Sequence, residues 1–375
     1  MIFWVELKDK ECAHCHSLQV IQRGKKIRQL KTVPIGGKPV LINLHLRRLE
    51  CQNCHHLAME SYHQIADPKK HYTRKLAALI ITLSHCMTTK DIADLMNMHW
   101  NTIWQIISGH LTRYIPSARD LRKLKWIGID EISYGKNHRY LTLVVDHVTG
   151  RIVHVARNSN EDSLYRFFKR LRKLKAPIEV ITGDMWRPYL SVIRTFYPEC
   201  HVVYDKFHII ANLNRSLDEL RRTEYHTHNK KTGKVIKGIR FLLLKRPEKL
   251  NERAREKLDL LFAVNQKLAL GYQLKEMLYQ LWQYHSADDA TTFLNKWCHM
   301  AAASAIAPFR KFAKSLIRNK DAVLNYFRFN FTNARLEGIN NKIKTLQKHT
   351  YGMRNPNHLF LRIYSIHLKK YALIG

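Results

Sequence analysis

Three acidic residues, widely separated along the chain, have the sequence surroundings of a metal-binding site. Asp130 lies in the stretch GIDE, Asp184 in ITGDM and Glu337 in NARLEGINNK. Carboxylate oxygens suit Mg²⁺ or Mn²⁺, ions that also bind substrate phosphate. Two ions held by such acids can activate an attacking oxygen and stabilise a leaving one. A single Asp at a strand end is more often a turn or capping residue. The metal-binding interpretation therefore holds only if the three acids converge in the fold.

The segment around Glu337 carries basic and amide side chains that suit contact with phosphate. The residues concerned are Asn333, Arg335, Asn340 and Lys344. Leu336, Ile339 and Ile343 recur at helical spacing, which predicts a helix with an inward apolar stripe and Glu337 at its edge. The alternative for an isolated Glu near a helix start is a capping or solvated charge. If this helix packs against the sheet described below, Glu337 supplies the third carboxylate of the metal site, beside Asp130 and Asp184.

Other acids compete for the same role. Strand alternation turns Glu131 away from Asp130, and Asp146 ends the next strand. Asp205 and His208, in the stretch DKFH, are secondary candidates that either contribute to a metal site or shape a turn.

Four cysteines form a separate constellation. Cys12 with Cys15 and Cys51 with Cys54 make two C-x-x-C pairs, and the segment between them favours strands broken at Gly24 and at Gly36–Gly37. Each pair can direct two thiolates at one ion, and two pairs complete a tetrahedral zinc site. We therefore predict a structural zinc ribbon with cysteine ligands. The adjacent residues His14, His16, His55 and His56 are the alternative ligands.

The period of the apolar residues changes to two after residue 125. WIGIDEISY, RYLTLVVD and GRIVHVARN are predicted strands joined by short connections, which implies an antiparallel meander. Helix and strand then alternate, with further strands in PIEVITGD and CHVVYD. This order is typical of the α/β ribonuclease H-like fold. Its first and fourth strands are neighbours, so Asp130 and Asp184 are expected to lie side by side.

A helix-turn-helix is predicted upstream of this sheet. Thr88 and Asp91 have the spacing of a capping box, and a break around residues 97–99 separates two short helices. In such a motif the second helix reads base edges. Its exposed side is expected to carry Trp100, Asn101, Thr102 and Gln105. A plain helical hairpin is the alternative.

The charge of the chain points to a polyanionic partner. Its 64 Lys and Arg residues against 30 Asp and Glu residues give a formal charge of +34, spread along the whole sequence. Apolar runs are far shorter than the ~20 residues of a membrane-spanning helix, and the first residues have no signal-peptide pattern. Seven cysteines, an odd number, favour a reducing cytosol over a disulfide framework.

Four parts are expected along the chain: a zinc module (1–66), a helix-turn-helix domain (67–118), a ribonuclease H-like catalytic domain (119–210 and 326–375), and a helical insertion within it (211–325). The insertion is too long to be a connector. Its Lys and Arg residues could follow a DNA backbone, although most are expected to be solvated.

These features together resemble the ISL3 family of DDE transposases from bacterial insertion sequences. The likeness is carried by GIDE at 128–131, ITGDMW at 181–186, DKFH at 205–208, and TNARLEGINNKIK with YGMR at 332–354. The paired C-x-x-C and the helix-turn-helix precede these motifs, so the resemblance spans nearly the whole chain. QKHT stands where more arginine is expected before YG, and Met353 stands where an aromatic residue is expected.

The resemblance implies metal-dependent DNA cleavage and strand transfer by Asp130, Asp184 and Glu337, with two Mg²⁺ or Mn²⁺ ions. It implies binding of the terminal inverted repeats and of target DNA by a homodimer or larger assembly. A bacterial, cytoplasmic enzyme that associates with the nucleoid when bound to DNA is expected. The alternatives are a structure-specific nuclease, which would cut without joining, and a DNA-binding regulator derived from a transposase.

Overall fold

The computed structural model describes residues 1–7, 11–135, 139–157, 161–184, 187–227, 236, 238–329, 334–350 and 355–367. The chain divides into two compact units. The first contains residues 1–115 and 342–375, and the second contains residues 116–341. The C-terminal part predicted for the catalytic domain, 326–375, is thus divided between the two units.

The first unit begins with a small sheet. Its strands are β1 (Ile2–Glu6), β2 (Val20–Ile35), β3 (Lys38–Cys51) and β4 (Leu57–Met59). β2 and β3 form the expected hairpin, which turns at Gly36 and Gly37 with φ values of 55° and 74°. That left-handed backbone favours glycine, because in any other residue the Cβ would come too close to that residue's own carbonyl oxygen. β1 pairs with β3 in parallel, a contact that the sequence pattern did not predict.

Three helices follow and form the predicted helix-turn-helix. They are α1 (Arg74–Leu83), α2 (Thr89–Met96) and α3 (Trp100–Leu111). Thr88 and Asp91 make both hydrogen bonds of a capping box at the start of α2, and Asn97 ends α2 in the left-handed conformation. Apolar side chains of all three helices meet in one core, for example Ile80, Ile92 and Ile103.

The second unit contains the predicted ribonuclease H-like sheet. After the short helix α4 (Ala118–Leu121) come β5 (Trp126–Gly135), β6 (Arg139–Asp146), β7 (Ile152–Arg157), β8 (Val180–Gly183) and β9 (His201–Tyr204). The spatial order is β7-β6-β5-β8-β9, with antiparallel pairing up to β5 and parallel pairing beyond it. The meander and the contact between the first and fourth strands are confirmed.

One face of this sheet is covered by α5 (Glu161–Lys173) and α6 (Arg187–Phe196). Ile127 and Ile129 of β5 pack there against apolar residues of both helices, such as Phe168 and Ile193.

The remaining helices of this unit form a helical block on a large apolar core. They are α7 (Lys206–Thr227), α8 (Arg240–Leu244), α9 (Glu252–Val264), α10 (Gln266–Tyr279), α11 (Ala287–Ala303), α12 (Ala307–Arg318) and α13 (Lys320–Phe329). α13 covers the outer edge of β9, where the Asn325 amide donates to the Val202 carbonyl at 2.9 Å. A sheet edge paired in this way is protected from association with another strand.

Two further helices are described, α14 (Ala334–His349) and α15 (Pro356–Tyr364). α14 crosses the boundary between the units, which falls between Asn341 and Lys342. α15 belongs to the first unit, where Leu361 packs against the helix-turn-helix core. Arg362 is buried and donates to the Ser84 carbonyl at 2.7 Å.

Candidate active site and DNA-binding elements

Asp130 is positioned by the alternation of β5. Ile127 and Ile129 point toward α5 and α6, so Gly128 and Asp130 point to the opposite face, as predicted. A Cβ atom on Gly128 would lie 2.8 Å from His147 Nε2, 2.9 Å from Leu336 Cδ1 and 3.0 Å from Thr182 Oγ1. Glycine therefore allows α14 to approach β5 beside Asp130.

Asp184 and His208 approach Asp130 from the ends of β8 and β9. Asp184 follows β8, and His208 lies in the first turn of α7, directly after β9. His208 Nε2 is 2.6 Å from Asp184 Oδ1 and 3.7 Å from Asp205 Oδ2. One ligand atom each from Asp130, Asp184 and His208 lies within 4.8 Å of the other two. The predicted convergence of the two aspartates is therefore present.

α14 contributes an amide to this cluster. Asn340 Nδ2 donates to Asp130 Oδ2 at 2.6 Å, and the Glu131 N–H donates to Asp130 Oδ1 at 2.7 Å. Asn340 Oδ1 is buried and has no hydrogen-bond partner within the described part of the chain. A buried acceptor left unpaired is costly, so this oxygen is suited to a further polar ligand.

The charges at this site favour a bound cation. Burial raises the pKa of Asp130, and the nearby Asp184 adds to the rise, while the hydrogen bonds from Asn340 and Glu131 oppose it. For His208, burial lowers the pKa, but the hydrogen bond and negative charge of Asp184 outweigh it and raise the pKa overall. The imidazolium form of His208 thus partly neutralises the acids. A divalent cation held by the carboxylate oxygens would supply the same charge more completely.

Glu337 is not a member of this cluster. Its side chain is exposed on α14, one turn before Asn340 and next to the buried Leu336. Within the described residues, its carboxylate is not among the ligand atoms grouped around Asp130 and Asp184.

The secondary acids have identifiable structural contacts. Asp205 accepts a hydrogen bond from the Phe207 N–H at 2.9 Å and so caps the start of α7, while also lying near His208. Asp146 accepts from the backbone of Val148 and Thr149 and closes the turn after β6. Asp146 is thus a turn residue.

A buried hydrogen-bonded chain beside the site was not predicted from the sequence. The Tyr189 hydroxyl, on α6, donates to Glu131 Oε1 at 2.6 Å and lies 2.9 Å from Thr142 Oγ1. Glu131 and Thr142 are cross-strand partners in β5 and β6. Burial raises the pKa of Glu131, whereas the hydrogen bond from Tyr189 opposes the rise. This chain ties α6 to the two strands, five residues after Asp184.

The four cysteines converge as predicted. Their Sγ atoms lie within 4.8 Å of one another, and no histidine belongs to this group within the described residues. Both loops turn in the same way, because His16 and His55, each following the second cysteine of its pair, have φ values of 57° and 54°. Backbone N–H groups, the largest contribution coming from Cys54, lower the pKa of Cys51 to about 6, which favours the thiolate. These four sulfur ligands fit a tetrahedral structural zinc ion.

Three family models match this chain. A DDE transposase model of the ISL3 type matches residues 127–363. The helix-turn-helix domain of transposase family ISL3 matches residues 60–111, and the zinc-finger of transposase IS204/IS1001/IS1096/IS1165 matches residues 9–54. The chain belongs to the ISL3 family of transposases. It is therefore a DNA-binding enzyme of DNA transposition, with a structural zinc site and a dependence on divalent metal.

Curated relatives of this ISL3 transposase have the same activity in their names. The transposase for insertion sequence element IS1001 of Bordetella parapertussis is 27% identical over 341 residues, which covers 90% of this chain and 84% of that protein. The transposase for insertion sequence element IS1557 of Mycobacterium tuberculosis is 25% identical over 379 residues, covering 93% and 84%. The solved Drosophila P element transposase strand transfer complex aligns over 79% of this chain and 92% of that chain, with a TM-score of 0.39 and 9% identity.

The four residues predicted to contact DNA from the recognition helix α3 differ in how exposed they are. Asn101 and Gln105 are exposed and Thr102 is half-buried on α3. Trp100 is 38% exposed and stacks on Trp104 and His358, with ring centroids 6.3 Å and 5.9 Å away. The indole of Trp100 thus contacts α15 through His358, while Asn101 and Gln105 are exposed to solvent.

The structure describes only some of the residues that were predicted to contact phosphate from α14. Lys344 is exposed and Asn340 contacts Asp130, whereas Asn333 and the side chain of Arg335 lie outside the described residues. Across the described part of this transposase, no helix combines the length and apolar character needed to cross a membrane.

Proposed function

We propose that Asp130, Asp184 and Glu337 are the catalytic acids of this transposase and hold two Mg²⁺ or Mn²⁺ ions. The observation that carries the proposal is the convergence of Asp130 and Asp184 at the face where α14 approaches β5. Glu337 lies one turn before Asn340 on that helix, and we assign it the third carboxylate of the site. Bound ions would activate the attacking oxygen and stabilise the leaving one.

The surrounding residues would hold and orient these acids. Asn340 fixes one oxygen of Asp130, and its Oδ1, which is unpaired among the described residues, can accept a hydrogen bond from a water molecule or a DNA hydroxyl. His208 is a secondary residue that pairs with Asp184 and would hold its carboxylate in place for the ions. Asp205 Oδ2 lies 3.7 Å from the same Nε2 atom of His208 and would help to orient the imidazole.

We further propose the order of the reaction on DNA. In the first step, water attacks the phosphorus at the transposon end and displaces the 3′ oxygen, which leaves as a 3′-hydroxyl. In the second step, this 3′-hydroxyl attacks a phosphodiester of the target and displaces the target strand's own 3′ oxygen. The zinc module and the helix-turn-helix recognise the terminal inverted repeats through Asn101, Thr102 and Gln105, with Trp100 supporting them. A homodimer pairs the two ends.

Strand joining by point variants tests the catalytic assignment. Purified protein is incubated with Mg²⁺, DNA carrying the flanking repeats of its own locus, and a target plasmid, and the joints are sequenced. Asp130→Ala, Asp184→Ala and Glu337→Ala are each expected to abolish cleavage and joining while DNA binding is kept. Glu256→Ala, which removes an exposed Glu from α9, is the matched control and is expected to retain activity. Wild-type joining by Glu337→Ala would remove Glu337 from the proposed site.

A further inference from the structure

α12 separates its side chains into an apolar face and a basic face. Phe309, Phe312 and Leu316 are buried in the core of the helical block. The opposite face exposes Arg310, Lys311, Lys314 and Arg318, which line a shallow depression of about 620 Å³ together with Ala307 and Ser315. We call these four basic residues the α12 basic face.

The nearest acid in the sequence to the α12 basic face is Asp321, three residues after Arg318. Between Asp289 and Asp321 the chain contains no Asp or Glu. Within the described part of the chain, none of the four side chains forms an ion pair or a side-chain hydrogen bond. Arg310, Lys314 and Arg318 follow one another at intervals of four, a spacing at which like charges on a helix repel. An anionic partner would remove this repulsion.

A row of basic residues without intervening acids is not found on every helix of the helical block, as α9 shows. On α9, Arg253 and Lys257 alternate with Glu252 and Glu256, which gives a surface of mixed charge. Such a surface is suited to solvent, whereas an unmixed row of cations is suited to a polyanion. The α12 basic face is thus distinguished by its lack of acids rather than by the net charge of the protein.

The α12 basic face also leads to the edge of the catalytic sheet. Arg318 lines a second, smaller depression of about 130 Å³ with Arg194 of α6 and Tyr204 of β9. Tyr204 donates to Asn319 Oδ1 at 3.1 Å, and it directly precedes Asp205. Asp321 also lines this depression and offsets part of the charge at that end. The row of cations therefore ends beside the strand that leads to His208.

We propose that the α12 basic face binds the phosphodiester backbone of duplex DNA, without regard to sequence, outside the segment read by the helix-turn-helix. The inference rests on the proposed function only in that DNA is the substrate. Each phosphate neutralised by Lys or Arg releases counterions, so such a surface contributes mainly to the salt dependence of binding. The DNA concerned is either the flank of the transposon end or the target.

A pair of matched triple variants tests this surface. The test variant replaces Arg310, Lys314 and Arg318 with Gln, and the control replaces Lys249, Arg253 and Lys257 with Gln. Both sets are exposed, have the same spacing of four, and change the net charge equally. Glutamine is a good helix former, so both variants are expected to fold, which thermal unfolding checks. If the triple variant is unfolded, Lys314→Gln alone is measured and is expected to give a third of the effect.

Binding is measured by fluorescence anisotropy over a range of salt concentrations without added divalent metal, so that no DNA is cut. This condition also keeps the result independent of which residues carry out catalysis. Three duplexes are used: the terminal repeat alone, the repeat with its flank, and an unrelated sequence. The test variant should lower the slope of log affinity against log salt by about 2 to 3, at ~0.9 per contact, and weaken binding at least tenfold.

The pattern across the duplexes identifies the source of the DNA. A loss confined to the flanked repeat assigns the α12 basic face to donor DNA, and a loss that includes the unrelated duplex assigns it to target DNA. Equal slopes for the test and control variants on all three duplexes would overturn the proposal.

Discussion

Gly128 allows β5 and α14 to come close together. A Cβ atom at this position would approach His147, Leu336 and Thr182 to between 2.8 and 3.0 Å. We expect Gly128→Ala to lower the free energy of unfolding of the second unit by about 1–3 kcal/mol, the usual cost of overpacking. It should also reduce DNA cleavage, because α14 and Asn340 must move away from Asp130. Thermal unfolding and a cleavage assay measure the two effects.

Gly338 provides the control for this substitution. It lies on α14, and a Cβ there would have no neighbour within 4 Å. Gly338→Ala should therefore stabilise the protein by up to ~1 kcal/mol through helix propensity. Equal destabilisation by both substitutions would show that close packing at Gly128 is not the cause.

Asn340 is the second residue whose effect can be isolated. Its amide donates to Asp130 and opposes the rise in the pKa of that carboxyl. Asn340→Ala should therefore raise the pKa of Asp130 further, so that the acidic limb of the pH–rate profile for Mn²⁺-dependent cleavage moves to higher pH. The affinity for Mn²⁺, measured by calorimetry, should fall in the same variant. Asn341→Ala, at the exposed neighbouring position, should leave both quantities unchanged; a shift in both variants would contradict a specific role for Asn340.

At the scale of the element, the sequence patterns predicted the strands, turns and helix starts that depend on contacts between residues close in sequence. The meander β5–β6–β7 follows from alternation and short turns, and the start of α2 follows from the capping box of Thr88. The contact between Asn340 and Asp130 joins residues 210 positions apart, so no periodicity predicts it. Tyr189 was missed for a related reason: an aromatic residue on an amphipathic helix is usually core, and only the fold brings its hydroxyl to Glu131.

α3 contains a histidine that should make the helix-turn-helix sensitive to acid. His110 is 9% exposed, and burial is the main cause that lowers its pKa, assisted by the charges of Arg113 and His85. Because the pKa in the folded state lies below the ordinary value of 6.5, the unfolded chain takes up the proton first as the pH falls. Stability is thus complete above pH ~6.5 and is lost as the pH falls from there through the folded-state pKa.

We therefore expect the melting temperature of the first unit to fall between pH 7.5 and pH 5.5, and His110→Phe to flatten this dependence. His63→Gln, which replaces an exposed histidine of the same unit, should retain the wild-type slope. Both variants keep the zinc cysteines, so any loss of zinc at low pH affects them equally. A slope in His110→Phe equal to that of the wild type would assign the acid sensitivity elsewhere.

At the scale of the whole molecule, the first unit is completed by the end of the chain. The chain leaves this unit after Ile115 and returns to it at Lys342, within the helix that carries Glu337 and Asn340. Sequence order predicted a C-terminal segment wholly in the catalytic domain. The return could not be inferred from α15 itself, because an amphipathic helix does not specify which core it joins.

A substitution of Arg362 tests whether the return of the chain to the first unit is needed for DNA binding. Its guanidinium donates to the Ser84 carbonyl at the C-terminal end of α1, where a positive charge also complements the helix dipole. Arg362→Met keeps most of the aliphatic stem but leaves that buried carbonyl unpaired. We expect it to destabilise the first unit by about 1.5–3 kcal/mol, the range for a hydrogen bond to a charged group.

This variant should weaken binding to the terminal repeat near the melting temperature of the first unit, while the unfolding transition of the second unit stays in place. Lys348→Met, at an exposed position of α14 in the same unit, is the control and should change neither. Differential scanning calorimetry with anisotropy on a repeat duplex separates the two units. Destabilisation of the second unit alone would instead place α15 with the catalytic core, because Arg362 would then stabilise the sheet rather than the helix-turn-helix.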